Sequence, residues 1–262
     1  MKLGFITSIC EGMTFEEVVD FAAENGLECL EVACWPNFGA KRRYAGVSHI
    51  DVAALTPEKT EEIKALCASR GVEISSLCYY PNTMDPDLEK RQSYIDHIYK
   101  LIDASAMLDV NMITTFVGRV PDKTFAENLE IFKEVWPPIV KYAEEKGVKI
   151  GIENCPMLFT DDEWPGGQNI MTTPANWRKI FEIIDSPNLV LTMTRPILSG
   201  SRLTILNQFT SLRIKSSMFI TRILRFIRTS WLMLERWLHH CSTCLRSFRG
   251  LATLTGENMY QL

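Results

Sequence analysis

Lys146-Gly-Val-Lys-Ile-Gly-Ile-Glu-Asn154 is the stretch that decides the fold. Gly147 stops a helix-patterned run from Thr124 to Lys146, and Val148–Asn154 follows as a short apolar strand ending in a carboxylate and an amide. The same order of strand, loop, helix, Gly and strand recurs on either side. Leu3–Thr7 reads as a strand. Thr14 with Glu17 forms a capping-box pair that opens a helix to Asn25, closed by Gly26. Leu27–Cys34 is a second strand. Thr56-Pro57-Glu58 starts a helix that stops at Gly71, and Val72–Tyr79 is a third strand. Asp87–Leu108 is helical and Val110–Val117 a fourth strand. Pro137 and Pro138 predict a kink or a break inside the helix from Thr124. After Val148–Asn154, Pro174–Ile184 is helical and Asn188–Leu191 begins a sixth strand.

A repeat of roughly 30–40 residues suits parallel βα units. The long loops follow the strands, at Trp35–Asp51, Tyr80–Pro86 and Cys155–Thr173. A (β/α) barrel keeps its active site on such loops. The rival, a doubly wound sheet, wants a Gly-rich phosphate turn after its first strand, and Ser8-Ile9-Cys10-Glu11-Gly12 is not one. The pattern therefore points to a (β/α)8 TIM barrel, incomplete at about six βα units, over residues 1–192.

Near Val190 the composition changes. Residues 1–192 carry 18 Lys and Arg against 30 Asp and Glu, a net of −12; residues 193–262 carry 10 against 2, a net of +8. Asp185 is the last aspartate and Val190 the last valine. Lys outnumbers Arg twelve to six before the break, and nine arginines accompany the single Lys215 after it. One soluble domain rarely changes its usage so abruptly.

The acidic first part argues against a nucleic-acid footprint. No apolar run has the length of a membrane span; Arg222, Arg225 and Arg228 interrupt the best candidate. The first residues lack a signal-peptide apolar core. Eight scattered cysteines, several in strand-like runs (Cys29, Cys78), read as reduced buried thiols of a cytoplasmic protein rather than a disulfide framework.

Five stretches resemble the xylose-isomerase-like sugar phosphate isomerase/epimerase family of TIM barrels. They are Leu3-Gly-Phe-Ile-Thr7, Phe15-Glu-Glu-Val-Val-Asp-Phe-Ala-Ala23, Leu30-Glu-Val-Ala-Cys-Trp-Pro36, Tyr79-Tyr-Pro-Asn82 and Lys149-Ile-Gly-Ile-Glu-Asn154. The resemblance covers residues 1–192. It implies a divalent-metal enzyme (Mn, Mg, Co or Zn) acting on a sugar or sugar phosphate by proton abstraction next to a carbonyl, through an enediolate. Glu153 matches the strand-end glutamate that binds metal and moves a proton. Trp35, His49, Tyr80, Asn82 and Asn154 share the same loops and strand ends, where aromatics and amides stack on or hydrogen-bond a sugar. Asp161-Asp162-Glu163 reads as a solvated loop.

The family's later ligands are an Asp in an Asp-Pro-Ser-His-like motif, a His in a His-x-His-like motif and a final Glu. None appears in the frame as written; the sixth strand runs into Thr192-Met-Thr-Arg-Pro196. An out-of-frame tail accounts for this. Met193 is ATG and Thr194 is ACN, so regrouping by one base yields GAC, an Asp with no codon freedom. The next regrouped codons admit Pro, Ser and His. Met218-Phe219 forces a Val whose neighbours admit His on both sides, and Leu251–Gly256 admits Gly-Asp-Val-Asp-Trp. A single lost base just before Thr192 would produce all three. In that case His239-His-Cys-Ser-Thr-Cys244, which imitates a metal motif, and the Arg-rich run Arg222–Arg236, which imitates a basic helix, carry no meaning.

Two other readings belong beside the isomerase. One is a truncated, non-enzymatic product, since one Glu does not hold a catalytic divalent metal. The other is a zinc-dependent nuclease of the apurinic-site kind, which the acidic composition and the absence of a His in Thr114-Thr-Phe-Val-Gly118 count against. Tail residues 193–262 carry apolar side chains without periodicity and are expected to pack poorly.

Overall fold

The computed structural model describes residues 2–36, 46–155, 167–193 and 219–221. Among these residues seven strands form one sheet: β1 (Gly4–Ile6), β2 (Cys29–Ala33), β3 (Glu73–Cys78), β4 (Met112–Thr115), β5 (Lys149–Glu153), β6 (Leu189–Met193) and β7 (Phe219–Thr221). Their spatial order is their sequence order, and each neighbouring pair is parallel. A doubly wound sheet reverses its strand order at a switch point. This one never reverses, as a (β/α) barrel requires.

Among the described residues five α-helices alternate with the first six strands: α1 (Phe15–Glu24), α2 (Pro57–Arg70), α3 (Leu88–Met107), α4 (Phe125–Glu145) and α5 (Pro174–Ile183). Their starts follow from side-chain caps. Thr14 accepts from the Glu17 amide while the Glu17 carboxylate accepts from the Thr14 amide, and Thr124 with Glu127 repeats this box on α4. Thr56, Asp87 and Thr173 cap the other three helices. Gly71, in the left-handed region at φ 66°, ends α2 and turns the chain into β3.

Pro137 and Pro138 do not break α4, which runs through both. Each proline removes a backbone donor. What holds the helix is the face it buries: Phe132, Trp136 and Ile139 have no exposed surface, and the Trp136 indole N–H donates to the Val117 carbonyl at 3.2 Å.

The apolar core lies between sheet and helices. Leu30, Leu77, Ile113, Ile150, Ile152 and Leu191 face it from the strands, and Val18, Ile98, Leu101, Phe132 and Ile180 meet them from the helices. The other face of the sheet carries Glu31, Ala33, Cys78, Thr114 and Thr192, smaller or polar side chains for the most part. Gly151 shows this: a Cβ there would lie 2.7 Å from Thr192 Cγ2 and 3.2 Å from Thr114 Cγ2. These three positions therefore converge on the barrel interior, and only glycine fits between the two threonines.

The sixth strand begins one residue from its expected start and runs on to Met193, and β7 adds a further strand where the tail has no strand pattern. It pairs Phe219, Ile220 and Thr221 with Leu191, Thr192 and Met193 of β6. Expectations on Asp161-Asp162-Glu163, on His239–Cys244, on Arg222–Arg236 and on the packing of most of the tail lie outside the described residues. No described helix is long and apolar enough to cross a membrane. The six described cysteines are free, and Cys10, Cys34, Cys67 and Cys78 are buried.

Candidate active site

Glu153 closes β5, paired across the sheet with Thr192 on β6. Its backbone is pinned by Asn169, whose side-chain amide donates to the Glu153 carbonyl at 3.0 Å and to the Cys155 carbonyl at 2.7 Å. Its carboxylate receives no hydrogen bond from another described residue. The side chain keeps some exposed surface, yet enough protein surrounds it that desolvation pushes its pKa from 4.5 to about 7. A carboxyl group of that affinity both takes and returns a proton near neutrality. Asn154, next in the chain, is fully buried beside it.

The β3 corner of the mouth carries Tyr80. Its hydroxyl donates to Glu31 Oε1 at 2.6 Å, and its ring stacks on Phe116 with centroids 6.5 Å apart. Burial and the nearby Glu153 charge hold the phenol well above its ordinary pKa of 10, so it stays protonated. Thr114 on β4 donates to the same Glu31 oxygen at 2.8 Å.

Trp35 follows β2 and meets Tyr79 edge to face, centroids 4.9 Å apart. Tyr79 is in turn edge-on to His97, 4.6 Å away. Trp35 also packs on Ala33, Val47 and Cys78 beside Tyr80, forming an apolar wall.

His49 and Asn82 are held by the scaffold. The Thr7 hydroxyl accepts from the Ala33 amide and lies 3.0 Å from His49 Nδ1, while His49 Nε2 lies 3.3 Å from the Cys10 carbonyl. The arrangement that satisfies every atom is a neutral ring, with Nε2–H donating to Cys10 and Nδ1 accepting from Thr7. Burial also lowers its pKa, favouring that neutral form. Asn82 Oδ1 accepts from the amides of Met84 and Arg119, and its Nδ2 donates to the Arg119 carbonyl at 2.7 Å. It ties the loop after β3 to the loop after β4. Gly118, at φ 94°, lies so close to Asn82 Oδ1 that a Cβ would collide with it.

The structure thus gathers Glu153, Asn154, Tyr80 and Trp35 at one end of the sheet. Around them it adds Glu31, Thr114 and Thr192, which the sequence reading did not single out. The signal for Glu31 was present: an acid flanked by Leu30 and Val32 inside an apolar strand is a buried polar group in need of partners. Among the described residues no three His, Cys, Asp or Glu are grouped to hold a metal ion. Glu153 alone does not fit a catalytic divalent cation, which takes several ligands.

A family profile described as the xylose isomerase-like TIM barrel matches residues 19–193. The chain belongs to that family. Solved structures of the same fold include the probable 3-DHS dehydratase of petrobactin synthesis from Bacillus anthracis, at TM-score 0.61 and 18% identity, covering 81% of this chain and 70% of that one. The D-psicose 3-epimerase of Clostridium cellulolyticum H10, determined with D-tagatose, superposes at TM-score 0.60 and 16% identity, over 80% and 69%. The 3-keto-D-glucoside 4-epimerase of E. coli gives 0.62 and 15%, over 84% and 77%. At these identities the likeness shows the fold. A curated relative, the uncharacterized protein YfiH of Bacillus subtilis (strain 168), is 25% identical over 146 residues, 54% of this chain and 44% of that protein. The chain therefore spans less than half the length of that relative.

Proposed function

We infer that the intact gene product is a divalent-metal-dependent sugar isomerase or epimerase. The observation that carries this reading is the Glu153 carboxyl. It stands at the C-terminal end of a central strand of a xylose isomerase-like barrel, desolvated and with no hydrogen bond from another described residue. A base in that position takes a proton from a carbon next to a carbonyl and gives it back at another face or another carbon. Trp35 and Tyr80 supply an apolar and hydroxyl-bearing wall of the kind that receives a sugar. Epimerases among the solved structures of this fold support a ketose as substrate.

As encoded, the chain is an impaired product. Most metal ligands are missing from it, and their absence coincides with the compositional break. In support, the forced Asp spans the codons of Met193 and Thr194, at the end of β6. The forced Val, with its two His-permitting neighbours, spans Ser217 to Ile220, where β7 begins. β6 neighbours the strand of Glu153 and β7 is the next strand after it in the sheet order, positions that suit further ligands.

The test is to resequence the gene across the codons for Asn188 to Arg195, repair the frame, and assay the product with MnCl2 on D-tagatose and D-allulose. Epimerisation by the repaired protein that vanishes in Glu153→Gln supports the reading. An unaltered frame in fresh DNA, or a repaired protein inert on ketoses, overturns it.

A further inference from the structure

The Glu153 carboxyl receives no hydrogen bond from another described residue, so the backbone that carries it sets where it stands. That backbone is gripped from 16 and 14 residues further along the chain. One side-chain nitrogen, Asn169 Nδ2, donates to the Glu153 carbonyl at 3.0 Å and to the Cys155 carbonyl at 2.7 Å. Two oxygens this near one nitrogen are closer together than the roughly 6.6 Å between alternate carbonyls of a regular strand. The chain therefore turns at Asn154, and β5 ends at Glu153 instead of running on.

Asn169 is itself held fast. It is 1% exposed, and its Oδ1 accepts from the Met171 amide at 3.2 Å. Both amide hydrogens go to the two carbonyls, so no donor is left for a ligand. The segment around it is tied to other parts of the scaffold. The Ile170 amide donates to the Gly118 carbonyl, in the loop after β4, at 3.1 Å. From α5 the Trp177 indole donates to the Met171 carbonyl at 2.6 Å, and the Asn176 amide to the Ile170 carbonyl at 2.9 Å. Ile170, Met171 and Trp177 are all buried.

We propose that Asn169 is a positioning residue, which fixes the Glu153 carboxyl for proton transfer by drawing the two flanking carbonyls onto one amide. It acts through Glu153 and touches no substrate. A misplacement of about 1 Å in a reacting group costs on the order of a hundredfold in rate, so a group without hydrogen bonds of its own depends on such a support. The role rests on the reading of Glu153 as the proton-transfer group.

The test compares Asn169→Leu with Asn128→Leu in the full chain with the frame repaired. Leu keeps the branched shape of Asn and removes both donors. Asn128 is the control: it is as deeply buried, and its side chain bonds to Val120, Lys123 and Thr124, at the start of α4 and the loop before it. Both variants should lose stability in urea melts. In Asn169→Leu alone, kcat on D-tagatose with MnCl2 falls about thirtyfold while KM stays within about twofold of the parent. Asn128→Leu keeps both constants within about twofold. Asn169→Gln, whose donors sit one methylene further out, recovers most of the loss and stays about fivefold below the parent in kcat.

A readout without sugar accompanies these, in the chain as encoded and as repaired. The backbone 13C′ resonances of Glu153 and Cys155 move upfield in Asn169→Leu and stay in place in Asn128→Leu. Resonances that do not move in Asn169→Leu overturn the proposal. So does a kcat that survives Asn169→Leu, an equal loss in Asn128→Leu, or a loss carried by KM. If Asn169→Leu does not fold, Asn169→Gln decides: a loss in kcat at constant KM supports the proposal, and a kcat equal to the parent's overturns it. Carbonyl shifts that report the clamp in a repaired parent inert on ketoses refute the sugar reading of Glu153, and the role of Asn169 falls with it.

Discussion

Glu153→Gln should stabilise the metal-free protein above neutral pH and leave it unchanged in acid. The folded state raises the Glu153 pKa from 4.5 to about 7 by desolvation. Below about pH 4.5 the group is protonated in both folded and unfolded chains and costs nothing. Between 4.5 and 7 the unfolded chain releases the proton while the folded chain retains it. Stability therefore falls as pH rises through this window, by up to about 1.4 kcal/mol per unit. Above about 7 the penalty is complete, and the two pKa values set it near 3 kcal/mol as an order of magnitude. Gln has nearly the same shape and stays neutral throughout, so the variant lacks this penalty. The assay is urea denaturation of both proteins in EDTA at pH 4, 5.5, 7 and 8.5, read by circular dichroism. Every other titrating group cancels in the difference between the two proteins. That difference should grow from its acid baseline by about 3 kcal/mol and then level off. A difference that is flat with pH, or that favours Glu153 in alkali, refutes the desolvated carboxyl and implies a cationic partner for it.

Two further outcomes follow from packing and hydrogen bonding. Gly151→Ala places a methyl group 2.7 Å from Thr192 Cγ2, so it should lower stability by about 1–3 kcal/mol in urea melts. Adding Thr192→Ser, which removes that methyl, should recover part of the loss; additive losses would mean the strands are not in this register. Asn82→Ala strips three hydrogen bonds to backbone and should cost about 1–3 kcal/mol. Faster hydrogen exchange at the Met84 and Arg119 amides is the matching signature, and unchanged exchange there contradicts the tie between the two loops.

The helices and their ends were legible because local chemistry sets them. Thr14 with Glu17, Thr56 before Pro57, Asp87 and Gly71 stand where the sequence pattern placed helix boundaries. Strand positions were legible from short apolar runs between those caps, to within a residue or two at each end. Pro137 and Pro138 do not end the helix, because a local penalty was outweighed by burial of Trp136 and Ile139, which no local rule weighs. Strand β7 was illegible for the opposite reason: it has pairing but no pattern.

The site divides along the same line. Glu153 and Tyr80 announce themselves as polar residues at the ends of apolar runs, so a barrel reading alone places them at the mouth. His49 and Asn82 have the same signature in sequence and a different occupation in space. Both are satisfied by groups from other segments, 37–42 residues away in the longest of these bonds. Only a three-dimensional count of donors and acceptors separates a side chain that braces a loop from one that awaits a ligand. Glu31 was hidden more deeply. Its partners depend on the inward facing of Tyr80, and that facing depends on one extra residue in the β2–β3 register. Within Glu73–Cys78 alone, Ser75 is an ordinary strand serine. Set between Ile74 and Ser76 without a partner in the β2–β3 register, and bonded to the Leu30 carbonyl, it becomes the residue that decides which of two adjacent tyrosines faces the barrel interior. The polar wall of this site is therefore encoded in the relation between two strands rather than in the composition of either.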